Sequence, residues 1–305
     1  MAKHNKFSKE VETAAEIAVQ VGKRVELLSR KPERLTATLA FDAGYKHNSR
    51  TTSGDAFSQQ LILRKLRRKF PDAHILTEEK AGTEDSLSRI VTASKLSEMF
   101  RGNTFGIDPV DGTSEFWRGL YEWALSIGVM QEGIHTGGAI YAPTIRGGML
   151  VAGERGNGVF LSEAGRKPRR VRVSSRTIKE AVIYMGCDFH WLESFTSFEK
   201  SFAKIVNRTK STGSCAVGLA AVAAGKVDVL IQPAQKPWDW FAGYPLVEEA
   251  GGKFQLYHYR EGIIEPLPGP DMEGYRADRP NLAFIAGNPE LVDWLFALLL
   301  ANYGK

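Results

Sequence analysis

Apolar residues recur every three or four positions in several stretches of the chain, and this spacing predicts helices. The first stripe covers residues 8–30. A second helix is predicted to begin where Ser53 or Asp55 can cap it and to end at Pro71. The residues expected to face inward in this second helix are Phe57, Leu61, Ile62 and Leu66. A helical start follows at 112–120, and further helices are predicted at 195–206, 215–225, 238–251 and 289–303.

Short apolar runs between glycine-rich turns predict strands in the other half of the chain. Residues 73–79 and 105–108 are two such runs, and residues 123–163 have the pattern of an antiparallel meander. Two more strands are expected at 181–186 and 227–233. Residues 87–102 are predicted to form a connection with helical parts. Residues 258–280 have the weakest pattern and are predicted to be a surface excursion. The pattern alone predicts a mixed α and β protein.

Composition is that of an ordinary globular protein, with 305 residues, 43% hydrophobic and 25% charged. Cys187 and Cys215 lie far apart, in no pattern typical of a disulfide or zinc site, which favours a reducing compartment. The N-terminus has no signal-peptide core, and the longest apolar run is about half a membrane span. These observations predict a cytoplasmic protein with no membrane partner.

A mild basic excess, a net charge of +5, comes mainly from two runs at residues 64–69 and 165–173. Charge runs are usually solvated faces, and the aromatic and basic signature of an RNA-binding sheet is missing. We therefore expect no nucleic-acid partner. An anionic small substrate suits the charge equally well.

The chain contains no complete copy of the common nucleotide-binding or nucleophile motifs. The stretch "AAGKV" lacks both the upstream glycine and the Ser or Thr of a phosphate-binding loop, and "GERGNG" lies inside the meander. No G-x-S-x-G elbow occurs, and the six histidines lack metal-site spacing. The remaining candidates for functional residues are carboxylates.

Three stretches place carboxylates after an apolar strand or at a helix start: "LTEEKAG" with Glu78 and Glu79, "IDPVDGT" with Asp108 and Asp111, and "PWDW" with Asp239. Each alone is more typical of a turn, a solvated pair or a helix cap. Together they indicate one cluster, because crowded carboxylates repel unless a cation neutralises them. Oxygen ligands suit a hard ion, Mg²⁺ above all.

The break after the second acidic strand predicts an anion site. Pro109 prevents Asp108 from continuing as regular helix, and Asp111 is a natural N-cap. Gly112 and Thr113 would then offer free backbone N–H groups at a helix N-terminus. A metal ligand and a phosphate site would lie side by side.

The motifs "TEEKAG", "DPVDGTSEF" and "PWDWFAGYPLVEEAGG" together resemble the inositol monophosphatase family, from about residue 10 to the C-terminus. The resemblance implies a layered α-β-α-β-α sandwich in one catalytic domain, residues 1–305, with packed halves of roughly 1–175 and 176–305. It also implies a homodimer that hydrolyses a small phosphate monoester with two or three Mg²⁺ ions and is inhibited by Li⁺. Metal-activated water would attack the phosphorus in line, with no covalent enzyme intermediate.

The same resemblance implies roles for single residues. The implied metal ligands are Glu78, Asp108, Asp111, Asp239 and the carbonyl of Val110. Thr113 and Glu78 would orient and deprotonate the water, and Glu79 would be an acidic neighbour. Asp55, among the implied catalytic residues, would open the second helix and support a further metal. The N–H groups of Gly112 and Thr113 would hold phosphate oxygens. Substrate contacts would come from Gln232, Ser214 and Glu115.

Some positions depart from the inositol pattern and leave the substrate open. Gln232 replaces a glutamate that grips sugar hydroxyls, and Phe241 is a bulky start to the third motif. Glu115 is closer to the 3'(2'),5'-bisphosphate nucleotidase branch. Histidinol-phosphate and fructose-1,6-bisphosphate phosphatases share the core, and a non-catalytic phosphate-ligand regulator is the alternative outside enzymes.

Overall fold

A computed structural model of the chain describes residues 7–42, 47–78, 100–186, 195–233, 235–260, 263–270 and 282–303. The helices are α1 (Lys9–Ser29), α2 (Ser53–Lys69), α3 (Thr113–Trp117), α4 (Phe195–Phe202), α5 (Cys215–Ala223), α6 (Pro237–Trp240), α7 (Gly243–Glu249) and α8 (Pro289–Tyr303). The strands are β1 (Ala37–Asp42), β2 (His47–Thr52), β3 (His74–Thr77), β4 (Asn103–Asp111), β5 (Ala124–Gln131), β6 (Ile134–Ala142), β7 (Met149–Glu154), β8 (Gly158–Glu163), β9 (Arg169–Val171), β10 (Val182–Gly186), β11 (Arg208–Thr212), β12 (Val229–Gln232), β13 (Lys253–Arg260), β14 (Ile263–Leu267) and β15 (Leu282–Gly287).

These elements stack in five layers. Helices α1 and α2 cover one face of a seven-stranded sheet, and α5 and α7 fill the space between its other face and a six-stranded sheet. Helices α4 and α8 cover the far face of the second sheet. The middle layer is apolar all round, and every residue of α5 is buried, because this helix meets a sheet on each side.

The seven-stranded sheet has the order β3-β4-β5-β6-β7-β8-β9, and all its pairs are antiparallel except β3 with β4. The predicted meander is thus confirmed. The six-stranded sheet has the order β11-β10-β12-β15-β13-β14, and β1 and β2 form a separate hairpin. The domain boundaries expected from the sequence stay a prediction.

The first two helices follow their periodicity, with two corrections in α2. Its N-cap is Thr52, whose hydroxyl accepts a hydrogen bond from Gly54 N, while Asp55 occupies the third helical position and accepts from Thr52 N. Phe57 is 41% exposed, although it was expected to face inward; Ile62 and Leu66 are buried as predicted, and Leu61 is half-buried. The buried face of α2 is formed by Gly54, Asp55, Ser58, Gln59, Ile62 and Leu66, and Phe57 lies outside it.

Other expectations were only partly correct. Part of the expected surface excursion at 258–280 forms strand, since residues 258–260 belong to β13 and β14 follows at 263–267. The predicted helix at 238–251 is broken into α6 and α7. Most of the connection predicted at 87–102 lies outside the described residues. Among the helices that the structure describes, none combines the length and apolar character needed to cross a bilayer.

Candidate active site

The acidic residues of the first two motifs lie at one edge of the seven-stranded sheet. Strands β3 and β4 are parallel, with Thr77 paired to Ile107, so Glu78 and Asp108 follow the same register line. The pairing of β4 with β5 shifts between Asp108 and Asp111, and this irregularity includes Pro109. The shift bends β4 and delivers both aspartates to the same edge.

Negative charge accumulates around Asp108, which is 2% exposed. Burial raises the pKa of Asp108 well above its usual range, and the charges of Glu78, Asp111, Asp239 and Asp55 raise that pKa further. The only hydrogen bond found for its carboxylate among the described residues is 3.0 Å from Val110 N to Oδ1. Residues from four separate stretches therefore share one electrostatic site.

Asp111 reaches across to the middle helical layer instead of capping α3. Its carboxylate accepts hydrogen bonds from Ser214 Oγ at 3.1 Å, from Cys215 N at 3.2 Å and from Ala216 N. Burial raises the pKa of Asp111 to about 7, although these three donors act to lower it. The expected N-cap role of Asp111 is wrong, because the N-terminus of α5 supplies better donors for a buried carboxylate.

Gly112 occupies the N-cap of α3, in a left-handed conformation with φ of 88°. A Cβ there would lie 2.7 Å from the carbonyl oxygen of Glu122, so both the backbone angle and the space require glycine. Phe116 N donates to Gly112 O at 2.9 Å, which begins the short helix.

Asp55 connects the start of α2 with Thr113. One carboxylate oxygen accepts from both Thr52 N and Thr52 Oγ1, and the other lies 3.1 Å from Thr113 Oγ1. Thr113 Oγ1 is also 3.1 Å from the carbonyl oxygen of Val110. Burial raises the pKa of Asp55, against the lowering effect of its hydrogen bonds from Thr52 and Thr113. The 58 residues between Asp55 and Thr113 hid this contact from sequence reasoning.

The bulky Phe241 is accommodated by two glycines on the sheet. Gly106 of β4 and Gly128 of β5 are direct cross-strand partners, and a Cβ on either would lie within 2.6 Å of the Phe241 ring. The ring therefore fills a notch that holds α6 against β4. Helix α6 carries Asp239, whose Oδ2 accepts from Lys236 N at 2.8 Å.

Of the residues expected to read the substrate, Ser214 and Glu115 border Asp111, and Gln232 lies at the end of β12 in the second sheet. Gln232 is 2% exposed; its Oε1 lies over Gly186 and is 3.4 Å from Gln235 Nε2. Glu115 lies against Gly213, and its charge raises the pKa of Asp111. Ser214 holds Asp111 and accepts from Val217 N at 3.1 Å. Glu79 lies outside the described residues.

The side chains offer oxygen donors suited to a hard cation. The charged groups that most strongly shift the pKa of Asp108 are all carboxylates, and each of them repels its charged form. In the part of the chain that the structure describes, no three acidic, histidine or cysteine side chains are already disposed to hold a metal ion. Asp108, Asp111 and Asp239 each have an oxygen that accepts a hydrogen bond from a backbone N–H group. The donor type fits the ion that the resemblance implies.

Comparison with known proteins agrees with this geometry. Residues 9–290 match the inositol monophosphatase family. The chain is 27% identical to the inositol-1-monophosphatase of Bacillus subtilis over 272 residues, which is 88% of this chain and 90% of that protein. It is 30% identical to Nus factor SuhB of Escherichia coli K12 over 244 residues, 77% of this chain and 82% of the relative.

Among solved structures, the extragenic suppressor protein SuhB of Bartonella henselae is similar over almost the whole chain. The TM-score is 0.73 at 26% identity, and the match covers 96% of this chain and 98% of that one. This likeness and the observed layers confirm the fold predicted from the motifs, a layered α-β-α-β-α sandwich.

Proposed function

Since the chain belongs to the inositol monophosphatase family and is a phosphatase of that kind, we propose that it hydrolyses a small-molecule phosphate monoester in a reaction that depends on Mg²⁺. The observation that carries this proposal is the group of four carboxylates, Glu78, Asp111, Asp239 and Asp55, whose charges raise the pKa of a fifth, Asp108. A buried cluster of this kind is unfavourable unless a cation joins it.

Four carboxylates and one carbonyl would hold the ions. The proposed ligands are Glu78, Asp108, Asp111, Asp239 and the carbonyl oxygen of Val110. Bound there, Mg²⁺ would polarise the phosphoryl group and increase the acidity of a water molecule. Val110 O already lies 3.1 Å from Thr113 Oγ1, so the hydroxyl belongs to the same site.

Thr113 would orient the attacking water. Its Oγ1 donates to Asp55 Oδ1, which leaves an oxygen lone pair to accept a hydrogen bond from water. Thr52 N and Oγ1 fix the other oxygen of Asp55, so this carboxylate cannot turn away from Thr113. Glu78 would take a proton from the same water, on the side of the water that faces away from Thr113. Backbone N–H groups of Gly112 and Thr113 would bind the phosphate.

The part of the substrate beyond the phosphate would be read by Gln232, Ser214 and Glu115. Ser214 and Glu115 both border Asp111, so this end of the substrate would lie between β4 and the start of α5. The amide of Gln232 offers neutral hydrogen bonds to hydroxyl groups where an inositol-specific enzyme has a carboxylate. The Escherichia coli relative is named a Nus factor; here Thr113 and the intact acidic cluster favour catalysis.

A phosphate-release screen tests the proposal. The panel contains inositol 1-phosphate, adenosine 3',5'-bisphosphate, histidinol phosphate and fructose 1,6-bisphosphate, each with Mg²⁺, with Mg²⁺ and Li⁺, and with a chelator. We expect release from at least one ester with Mg²⁺, loss of release with the chelator, and inhibition by Li⁺. Release from none of the four would contradict the proposal, whereas the preferred ester would identify what Gln232 and Glu115 recognise.

A further inference from the structure

The two basic runs of the chain differ in how their charges are satisfied. In α2, Lys65 Nζ lies 2.7 Å from Gln20 Oε1 and Lys69 Nζ lies 2.9 Å from Glu16 Oε2. Arg67 Nη1 donates to the carbonyl oxygen of Ala73 at 3.2 Å. Three of the five cations of this run therefore tie α2 to its surroundings, which is a structural role.

The second run lies on the last strand of the seven-stranded sheet and on the chain that follows it; we call residues 166–176 the basic edge segment. Among the strands that the structure describes, β9 pairs only with β8, so no described strand covers its other side. Arg166, Lys167, Arg170 and Arg172 are exposed, and within the described part of the chain no carboxylate lies within salt-bridge distance of them. Their positive charge is available to an outside ligand.

The end of the segment is held firmly by the protein. Val173 N donates to Ala250 O at 3.1 Å, and Asn288 Nδ2 donates to Ser174 O at 3.0 Å. Arg176 forms an ion pair with the buried Asp228 at 3.0 Å. These bonds fix a cleft of about 410 Å³, lined by residues 169–176, Ala224 and Gly225. The cations therefore border a preformed surface on a fixed backbone.

We propose that the basic edge segment binds the phosphate backbone of a nucleic-acid duplex. Val171 is buried, so Arg170 and Arg172, one position to each side of it, point away from the core. They are two residues apart on an extended chain, about 6.6 Å, which suits consecutive phosphates. Arginine also binds phosphate through two parallel hydrogen bonds.

The shape of the charged surface favours a long ligand over a small one. The exposed cations for which no described carboxylate forms a salt bridge run from Arg166 to Arg172, about 20 Å if the chain is extended, which is longer than a single small phosphate ester. The segment contains no aromatic residue on which an unpaired base could stack, which argues against a single strand. Recognition would thus be of backbone charge, without base reading, contrary to the expectation that nucleic acid is not a partner.

Edge protection alone does not account for the segment. A charged residue or two on an edge strand is enough to block pairing with another sheet. Here the exposed cations continue beyond β9 on both sides, at Arg166, Lys167 and Arg172, where no sheet edge needs protection. β9 also lies five strands from β4, about 24 Å from the acidic cluster, so duplex binding is independent of the proposed phosphatase site.

Fluorescence anisotropy with a labelled 20-base-pair duplex, as DNA and as RNA, tests the proposal on the whole protein. For wild type we expect binding at low salt, with a slope of log affinity against log salt of about −3.6 for four contacts. Arg170→Ala with Arg172→Ala should weaken binding at least tenfold and make the slope shallower by about 1.8. Arg170→Lys with Arg172→Lys should keep most of the slope.

The matched control is Arg64→Ala with Arg68→Ala, two exposed cations of α2 that lose the same charge. This variant should bind the duplex within twofold of wild type, and all variants should keep wild-type phosphatase activity and melting temperature. Absence of duplex binding at low salt overturns the proposal, as does an equal loss in the control. Binding of tripolyphosphate without either duplex would also overturn it and would indicate a site for small polyanions.

Discussion

Two buried carboxylates, Asp108 and Asp228, show how differently the molecule treats the same chemical group. Asp228 is fully buried and accepts hydrogen bonds from Val182 N at 2.7 Å, from Ser174 Oγ and from Arg176 Nη1 at 3.0 Å. Asp108 is almost as buried, yet its neighbours are other carboxylates. Burial alone therefore does not distinguish a structural acid from a functional one; the compensating charge does.

The difference assigns the two sites opposite purposes. Asp228 is complete within the fold, because Arg176 and two further donors replace its lost hydration. It joins the start of β10 to the chain after β9, and so the two sheets to each other. The Asp108 cluster is instead proposed to bind a cation that offsets its crowded negative charges. Substitutions at the two sites should therefore affect different measurements.

Asp111→Asn has the largest expected effect, and that effect is on rate. The substitution keeps the size and one acceptor oxygen but removes the charge proposed to bind Mg²⁺, so phosphate release at saturating substrate should fall by about 10²- to 10⁴-fold. A Mg²⁺ titration should show weaker activation by the metal. The melting temperature should also fall, because the amide nitrogen faces either Cys215 N or the Ser214 and Ala216 donors, so phosphate release is compared per folded molecule.

Asp293→Asn is the matched control for that rate measurement. Asp293 is 63% exposed and is paired with Lys253, so the same change of charge should leave activity unaltered. Near wild-type activity of Asp111→Asn at saturating Mg²⁺ would remove Asp111 from the proposed metal ligands.

Asp228→Asn is expected to act on stability. Both oxygens of Asp228 accept hydrogen bonds, and Asn has only one such oxygen. Its NH₂ group would face either Val182 N or the donors of Ser174 and Arg176 and leave them unsatisfied, so the free energy of unfolding should fall by about 2–3 kcal/mol. Denaturant unfolding measures this loss, and Asp293→Asn should lie within about 0.5 kcal/mol of wild type. Activity per folded molecule should be unchanged. A loss of activity without a loss of stability would show that the comparison between the two acids is wrong.

The sequence predicted the acidic site well because its parts are local. Glu78 and Asp108 follow apolar runs that pair as parallel strands, so their convergence depends only on strand ends. Periodicity similarly found α1 and most of α2. Each helix stripe and each strand with its acidic end is encoded within about twenty residues, where burial pattern and turn chemistry are readable.

The contacts that sequence reasoning missed all join distant parts of the chain. Asp111 was expected to cap its own helix, but its partners are about a hundred residues away in α5. The notch for Phe241 needs Gly106 and Gly128 side by side, a pairing that only the sheet register creates. Both basic runs looked alike in sequence because their partners come from other elements. Tertiary partners, not local propensity, decided these cases.

The smallest expected effect is a change in stability. Without metal, Asp108→Asn should stabilise the protein, whereas Asp228→Asn should destabilise it. Without metal, Asp108→Asn removes a charge from a crowded carboxylate cluster and keeps an acceptor for Val110 N, so we expect stabilisation of about 1 kcal/mol. For a chain of this size that is a rise of about 2 °C in melting temperature. Differential scanning fluorimetry with a chelator measures it.

Added Mg²⁺ should reverse the order of stability of wild type and Asp108→Asn. At a hundred times its dissociation constant, a ligand that binds only the folded state stabilises it by about 2.7 kcal/mol, so wild type should gain more than Asp108→Asn and become the more stable protein. Asp228→Asn should gain as much from Mg²⁺ as wild type, because its acid is remote from the cluster. If Asp108→Asn destabilises the metal-free protein as Asp228→Asn does, the crowded carboxylates are already compensated within the fold, and the case for a cation there fails.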